Sequence, residues 1–254
     1  DTTNELSPET FTLTVGGVVG TGNITDDDGA PQVKTDGSGV SSPTENEGTS
    51  LTYTVTLTGT SSSATTVNLK LASGTTNGAT FGGTGSDTDT PIQVSTDSGV
   101  TWTTVTPDAG GNFTASIPAG GTTVQVRVPT VNDTTDEPNE TLDLTAAVGA
   151  QTPVKGIGTI TDNDNPPTVT SVDDPSTPAI NSVTVPEGTN AVFTVALSNA
   201  SSSVTTYPLV LASGSGASGA TLGDDFTSAM VFSAGVTYDA GTGLVTVQPN
   251  ISSF

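Results

Sequence analysis

The chain has 254 residues, with 4 Lys+Arg against 26 Asp+Glu, a formal charge of −22 and a sequence pI near 4.1. Binding to phosphate backbones or anionic membranes relies on clustered Lys and Arg, so nucleic acid and acidic lipid surfaces are disfavoured as partners. With no Cys and no His, disulfides, thiol nucleophiles, zinc ligands and the commonest general base are all excluded; any metal has to be held by oxygen.

Hydrophobic residues make up only 31%, yet they are placed periodically, and the period repeats along the chain. Residues 1 to 28 read as the tail of one repeat. "DTTNELSPETFTL" at 1 to 13 echoes "DTTDEPNETLDL" at 133 to 144, and "ITDDDGAP" at 24 to 31 echoes "ITDNDNPP" at 160 to 167. Residues 29 to 164 form a complete unit. In "LTYTVTLT", Leu51, Tyr53, Val55 and Leu57 share one face and threonines fill the other. Val67, Leu69 and Leu71 alternate in the same way, as do Val124, Val126 and Val128, then Leu142 and Leu144. Period 2 in Thr- and Val-rich runs marks half-buried strands. No stretch carries a 3.6-residue stripe, so little helix is expected.

Turn chemistry at Asp97-Ser98-Gly99, Pro107-Asp108, Gly110-Gly111 and Pro118 to Gly121 separates these runs, which points to an antiparallel two-sheet sandwich. The unit is longer than a seven-strand domain, and "TPIQVSTDSGVTWTTVTPDAGGNF" reads as an added hairpin. Residues 165 to 254 begin a third unit. Here "VFTVALSNASSSVTTYPLVLASG" at 192 to 214 copies residues 52 to 74, "GATL" at 219 to 222 copies "GATF" at 78 to 81, and "PEG" at 186 to 188 answers "NEG" at 46 to 48. The expected fold class is all-β: tandem Ig-like antiparallel β-sandwich domains with partial domains at both ends. The chain reads as an excised piece of a longer array. Its two partial pieces, separated by a whole unit, are expected to be loosely ordered or to pair head-to-tail between molecules.

Acidic groups recur at strand ends: Glu47, the Asp87/Asp89 loop, "NDTTDEPNE" at 132 to 140, and "DND" at 162 to 164. If the strands run up and down, these loops meet at one end of the sandwich. Two carboxylates about 6 Å apart repel by roughly 0.7 to 3 kcal/mol, so a gathering of them calls for cations. Calcium takes 6 to 8 oxygen ligands in loose geometry, whereas magnesium demands a stricter shell.

The order of these groups resembles the Calx-β module, known from the regulatory segment of sodium/calcium exchangers and from giant repetitive bacterial surface proteins. By that resemblance Glu47 matches the early Glu-Gly, and Glu187 is its copy in the third unit. Asp133, Glu137 and Glu140 match the acidic loop, and Asp162 and Asp164 the terminal acids. Asp26, Asp27 and Asp28 fit the terminal pattern in the first piece. Asp87 stands in the middle loop without the aromatic that should follow, whereas Asp225 is followed by Phe226. Asn132 and Asn163 occupy positions where the family prefers Asp, which implies fewer or weaker ions per unit.

What the resemblance implies is a set of Ca2+-binding structural spacer repeats, stiffened at domain ends, in a large type I secreted adhesin of the RTX-adhesin kind. Its partners are calcium ions, neighbouring repeats of the same chain and, through other parts of the parent protein, a cell-surface or matrix ligand. The expected location is extracellular or on the bacterial surface, with no membrane insertion and no enzymatic activity. Two other readings stay open: an accessory calcium-binding module of a secreted enzyme or regulator, and a glycan- or protein-binding adhesion domain. "GGTGSD" at 82 to 87 matches the start of an RTX nonapeptide, but Asp89 replaces its large apolar residue and no tandem copy follows, so chance explains it. Trp102 reads as a packed hairpin residue rather than a sugar platform, and Lys70 as outward-facing surface. Asp108 lies outside the acidic set, and its replacement should leave an ion response unchanged.

Overall fold

A strand that alternates Thr with Val or Leu buries one face and wets the other. In the computed structural model, which describes residues 2–81, 86–176, 181–216 and 218–254, every regular element is a β-strand. They run in chain order as β1 (Thr3–Asn4), β2 (Glu9–Val15), β3 (Val18–Ile24), β4 (Thr44–Asn46), β5 (Ser50–Thr56), β6 (Thr60–Ser61), β7 (Thr65–Ser73), β8 (Ile92–Ser95) and β9 (Thr103–Val105). Then come β10 (Asn112–Ile117), β11 (Thr123–Pro129), β12 (Glu140–Val148), β13 (Val154–Thr161), β14 (Val169–Asp173), β15 (Thr194–Leu197), β16 (Thr205–Pro208), β17 (Val236–Asp239) and β18 (Leu244–Val247). Residues 82–85, the first part of the RTX-like "GGTGSD", lie outside the described residues. No helix among the described residues is long and apolar enough to cross a membrane. Contacts divide the chain into two units: Asp1–Asp133 with Asn139–Asp162, and Thr134–Pro138 with Asn163–Phe254.

The first unit holds a two-sheet sandwich. One sheet has the order β10-β7-β12-β13-β4 and the other β5-β11-β8-β9. All neighbours are antiparallel except β4, which joins β13 in parallel. The alternating residues named above all point inward: Leu51, Tyr53, Val55 and Leu57 from the second sheet meet Val67, Leu69, Leu71, Leu142 and Leu144 from the first in one buried cluster. Tyr53 is a polar exception handled locally. Its buried hydroxyl donates to the Leu142 carbonyl oxygen at 2.6 Å, so burial leaves no unpaired proton.

The added hairpin forms as β8 and β9, paired from Ile92↔Val105 to Val94↔Thr103, but it does not stand apart. Gln125↔Ser95 and Arg127↔Gln93 zip β8 onto β11, so the hairpin widens the second sheet. Trp102 beside it is half-buried. Its Nε1 donates to the Gly99 carbonyl at 3.0 Å, and the Arg127 guanidinium lies 4.2 Å over the ring, which leaves that face covered. Lys70 is exposed between buried Leu69 and Leu71.

At the start of the chain β2 and β3 form a hairpin from Glu9↔Ile24 to Val15↔Val18, and β1 pairs in parallel with β6. In the second unit β14 pairs with β15, and β16-β18-β17 form a three-stranded sheet over a small core of Val236, Val245 and Val247.

Candidate metal centres at the strand ends

Register explains the first acidic pair. The parallel ladder between β4 and β13 matches Ile160 to Glu45 and Thr161 to Asn46, so the next residues on both strands, Glu47 and Asp162, fall side by side. The Glu47 amide donates to the Thr161 carbonyl oxygen at 3.1 Å, which carries the pairing one step past the strand. Gly48 then turns the chain with φ +71 and packs so closely on Asn132 that an added Cβ would sit 2.8 Å from its Cβ. Only glycine combines that φ with that approach, which is why the Glu is followed by Gly here.

The second pair is set by a loop folded against β12. Ala79 donates its amide to the Thr141 carbonyl oxygen and Thr141 donates to that of Asn77, both at 2.9 Å. The backbone amide of Thr80 donates to the Asp87 carboxylate, and the Thr80 hydroxyl does so at 2.7 Å. Asp87 is thereby held beside Glu140, the first residue of β12.

In each pair a carboxylate oxygen of one residue lies within 4.8 Å of one from the other, Glu47 with Asp162 and Asp87 with Glu140. Glu137 and Asp164, expected with them from the sequence, belong to the second unit. All four are half-buried. Two charges 4.8 Å apart repel by roughly 0.9 to 3.5 kcal/mol as the effective dielectric falls from 80 to 20. An oxygen-only pair of carboxylates matches what a hard divalent cation takes and what zinc or copper does not prefer.

The other sequence-predicted residues have different surroundings. Asp133 is exposed and belongs to neither group. Asp26 turns its carboxylate on its own segment: Oδ2 accepts from Asn4 Nδ2 at 3.1 Å and from the Glu5 amide at 3.2 Å, while Oδ1 accepts from the Asp28 amide. Asp27 is exposed, Asp28 half-buried, and neither joins a group. Glu187 is exposed on a turn, and Asp225 accepts the Thr221 amide at 2.7 Å; these two are also outside both groups.

No family model matches the chain, and no curated protein matches it. Among solved structures the chain is similar to CBD12 from CALX1.2, with 14% identity and a TM-score of 0.35 over 84% of this chain and 71% of that one. It is also similar to the sixth cohesin from Acetivibrio cellulolyticus' scaffoldin B, solved in complex with a mutant Cel5 dockerin, with 12% identity and a TM-score of 0.24 over 48% of this chain and 96% of that one. The fold of this chain rests on its own strand pairing.

Several acids have structural work that the sequence reading did not assign. Asp97 accepts from the Thr101 amide at 2.9 Å, the Thr101 hydroxyl at 2.5 Å and the Ser95 hydroxyl at 2.7 Å; these bonds, Thr101 first, hold its carboxyl at about 2. Asp108 accepts from the Gly110 and Asn112 amides, both at 2.8 Å. Its copy Asp239 accepts from the Gly241 amide at 2.8 Å. The recurring "DAG" at 108 to 110 and 239 to 241 was the signal for this turn. Asp108 therefore stabilises a turn in its own right, whatever its effect on ions. Asp143, buried on β12, is paired with Lys155 Nζ at 2.9 Å.

A second recurrence joins one repeat to the next. The Asn4 carbonyl oxygen accepts from the Ser62 amide at 2.9 Å and the Ser61 hydroxyl at 3.3 Å. In the second unit the Asp136 carbonyl oxygen accepts from the Ser202 amide at 2.9 Å and the Ser201 hydroxyl at 3.1 Å. Asn4 and Asp136 hold matching places in "DTTN" and "DTTD", and Ser61 and Ser201 in the two copies of "SSS". The same clasp is thus made twice.

Proposed function

We propose that the chain is a run of calcium-binding structural spacer repeats from a large secreted or cell-surface bacterial adhesin, stiffened by Ca2+ at the repeat ends. The observation that carries this reading is the placement of Glu47 with Asp162 and of Asp87 with Glu140 within 4.8 Å, by strand register in one case and loop packing in the other. Crowded carboxylates oppose folding until a cation neutralises them, and oxygen ligands at millimolar external calcium meet that need. Glu47 and Asp162 would hold one ion, and Asp87 and Glu140 another. The ion supplies charge neutralisation; the chain supplies the ligands and their spacing.

The twice-made clasp supports neighbouring repeats of the same chain as the structural partners. Nine-residue strands, the longest here, span about 30 Å at 3.3 Å per residue, a length that many copies multiply. A role as an isolated glycan-binding domain has less support, because Arg127 covers Trp102. In this reading the segment has no catalytic role and works outside the cell.

Thermal melting of the full chain in chelator, in millimolar calcium and in millimolar magnesium tests the proposal. Calcium should raise the melting temperature more than magnesium does, and the double variant E47Q/D162N should lose about half of that rise. An unchanged melt with calcium sinks the mechanism.

A further inference from the structure

We propose that the Asn77-Gly78 peptide modifies itself, the Gly78 amide nitrogen displacing the side-chain nitrogen of Asn77, and that the product loosens the loop that carries Asp87. Asn77-Gly78 is the one Asn-Gly pair in the sequence. A glycine after Asn leaves the attacking nitrogen unshielded by a Cβ, and attack within one residue pair closes a small ring without the cost of bringing two molecules together.

The fold fixes both residues of the pair. Gly74 and Gly78 approach so closely that a Cβ on Gly78 would collide with the Gly74 carbonyl oxygen. Asn77 has φ 41, a left-handed conformation that Asn adopts more readily than most residues with a side chain. Thr141 of β12 clasps this turn. Its carbonyl oxygen accepts from the Gly74 and Ala79 amides and its amide donates to the Asn77 carbonyl oxygen, all at 2.9 Å, while its hydroxyl donates to the Thr76 carbonyl oxygen at 2.7 Å. The bridge Gly78↔Thr141 is parallel, and its bonds go to Asn77 and Ala79 on either side. The Gly78 amide is thereby left donating to nothing among the described residues. The Asn77 side chain is exposed, and its Nδ2 donates only a long bond of 3.4 Å to the Asn139 carbonyl oxygen, too weak to hold the side chain away from attack. The copy of this turn in the second unit keeps the glycine and lacks the amide. Ser218-Gly219 stands there, and a Cβ on Gly219 would lie 2.6 Å from the Gly214 carbonyl oxygen. Tight packing therefore demands the glycine in both turns, whereas the reactive amide is particular to the complete repeat.

The step balances with water as its co-reactant. The Gly78 nitrogen gives up its proton and bonds to Asn77 Cγ, the Cγ–Nδ2 bond breaks, and the departing nitrogen takes up a proton and leaves as ammonia. Water then opens the cyclic imide at either carbonyl. One opening leaves an ordinary aspartyl residue at position 77. The other leaves an isoaspartyl link, in which the main chain runs through Cβ and Cγ and the former Asn77 carbonyl becomes a free carboxylate. That link has one more main-chain atom before Gly78 and removes the acceptor of the Thr141 amide from the main chain. Ala79 and Thr80 follow directly, and Thr80 holds Asp87 through its amide and hydroxyl. The spacing of Asp87 and Glu140 is thus lost in the isoaspartyl chain.

Ageing the full chain in chelator, in warm and mildly alkaline buffer, tests the proposal by peptide mass mapping. The peptide spanning Asn77 and Gly78 should gain the mass difference between NH2 and OH several-fold faster than peptides holding Asn112 or Asn199, and should split into aspartyl and isoaspartyl forms on chromatography. Isomerisation at Asp28-Gly29 or Asp36-Gly37 adds no mass and is told apart by that. N77S, which copies Ser218, should show no gain in this peptide. In the isoaspartyl fraction the Ala79 and Thr141 amides should exchange roughly tenfold faster than in fresh chain, with the amides of β5 unchanged. A gain at Asn77 no faster than at Asn112 and Asn199, or unaltered exchange at Ala79 and Thr141, would overturn the proposal. One consequence rests on the cation reading: the isoaspartyl chain should lose about half of the calcium-induced rise in melting temperature. A fresh chain with no rise at all defeats that reading alone, and mass and exchange still decide this one.

Discussion

Gly158 is where the sandwich is least forgiving. A Cβ there would collide with the Tyr53 hydroxyl and lie 2.9 Å from Leu51 Cδ1, both in the fully buried core. Burial, with the nearby Asp143 charge adding to it, pushes the Tyr53 hydroxyl well above its ordinary titration range. It therefore stays a donor to Leu142 at any working pH. Gly158→Ala should cost about 2 kcal/mol or more, from overpacking and a strained hydrogen bond, read as a lower urea midpoint by the fluorescence of the single Trp. A second prediction concerns acid. Asp97 has its carboxyl lowered from the usual 3.8 to about 2, and Asp36, Asp108 and Asp239 move in the same direction through their turn hydrogen bonds. A lowered folded-state value means stability that is complete above the unfolded value and lost as pH falls through the folded one. In chelator, the melting temperature should fall between about pH 4 and pH 2, and D97N should shrink that fall; a variant with an unaltered acid profile would contradict the assignment.

At the level of elements, the strands themselves were plain in the sequence because period-2 burial is written residue by residue: every alternating Leu, Val and Tyr named on β5, β7, β11 and β12 is in the core. Partnership was not written there. Nothing in "TEN" at 44 to 46 announces a parallel neighbour 115 residues later, yet that pairing sets Glu47 beside Asp162. Likewise the β8–β9 hairpin was visible as two strands and a turn, while its seam with β11 depends on which edge the folded sheet leaves open. The clasp was also hidden, since "SSS" and "DTTD" look like ordinary loop composition until their hydrogen bonds are traced. Ser201 is buried and its hydroxyl bonds both the Asp136 carbonyl oxygen and its Oδ2, the latter at 2.7 Å. Replacing Ser201 by Ala should weaken this junction by about 1.4 kcal/mol. The amides of Asp136 and Ser202 should then exchange roughly tenfold faster, with no change in amides of the first unit's core.

For the whole molecule, the size of the calcium effect follows from linkage. Each ion held at ten times its dissociation constant adds about 1.4 kcal/mol to a state that alone binds it. Two ions add about 3 kcal/mol, which for 150 to 250 residues is a rise of about 6 to 12 °C. E47Q/D162N, removing both ligands of one pair, should lose about half of it.

The sequence by itself determined the all-β class, the recurrence of its segments, the inward faces of β5, β7, β11 and β12 and the acidic character of the strand ends, because these depend on local alternation and on copies of the same text. Only the tertiary structure decided which acids meet. A parallel ladder draws Glu47 to Asp162 and a folded loop draws Asp87 to Glu140, whereas Asp26 and Asp225 bond backbone amides of their own segments. Proximity between residues far apart in the chain is a property of register and packing, and no single stretch of sequence carries it.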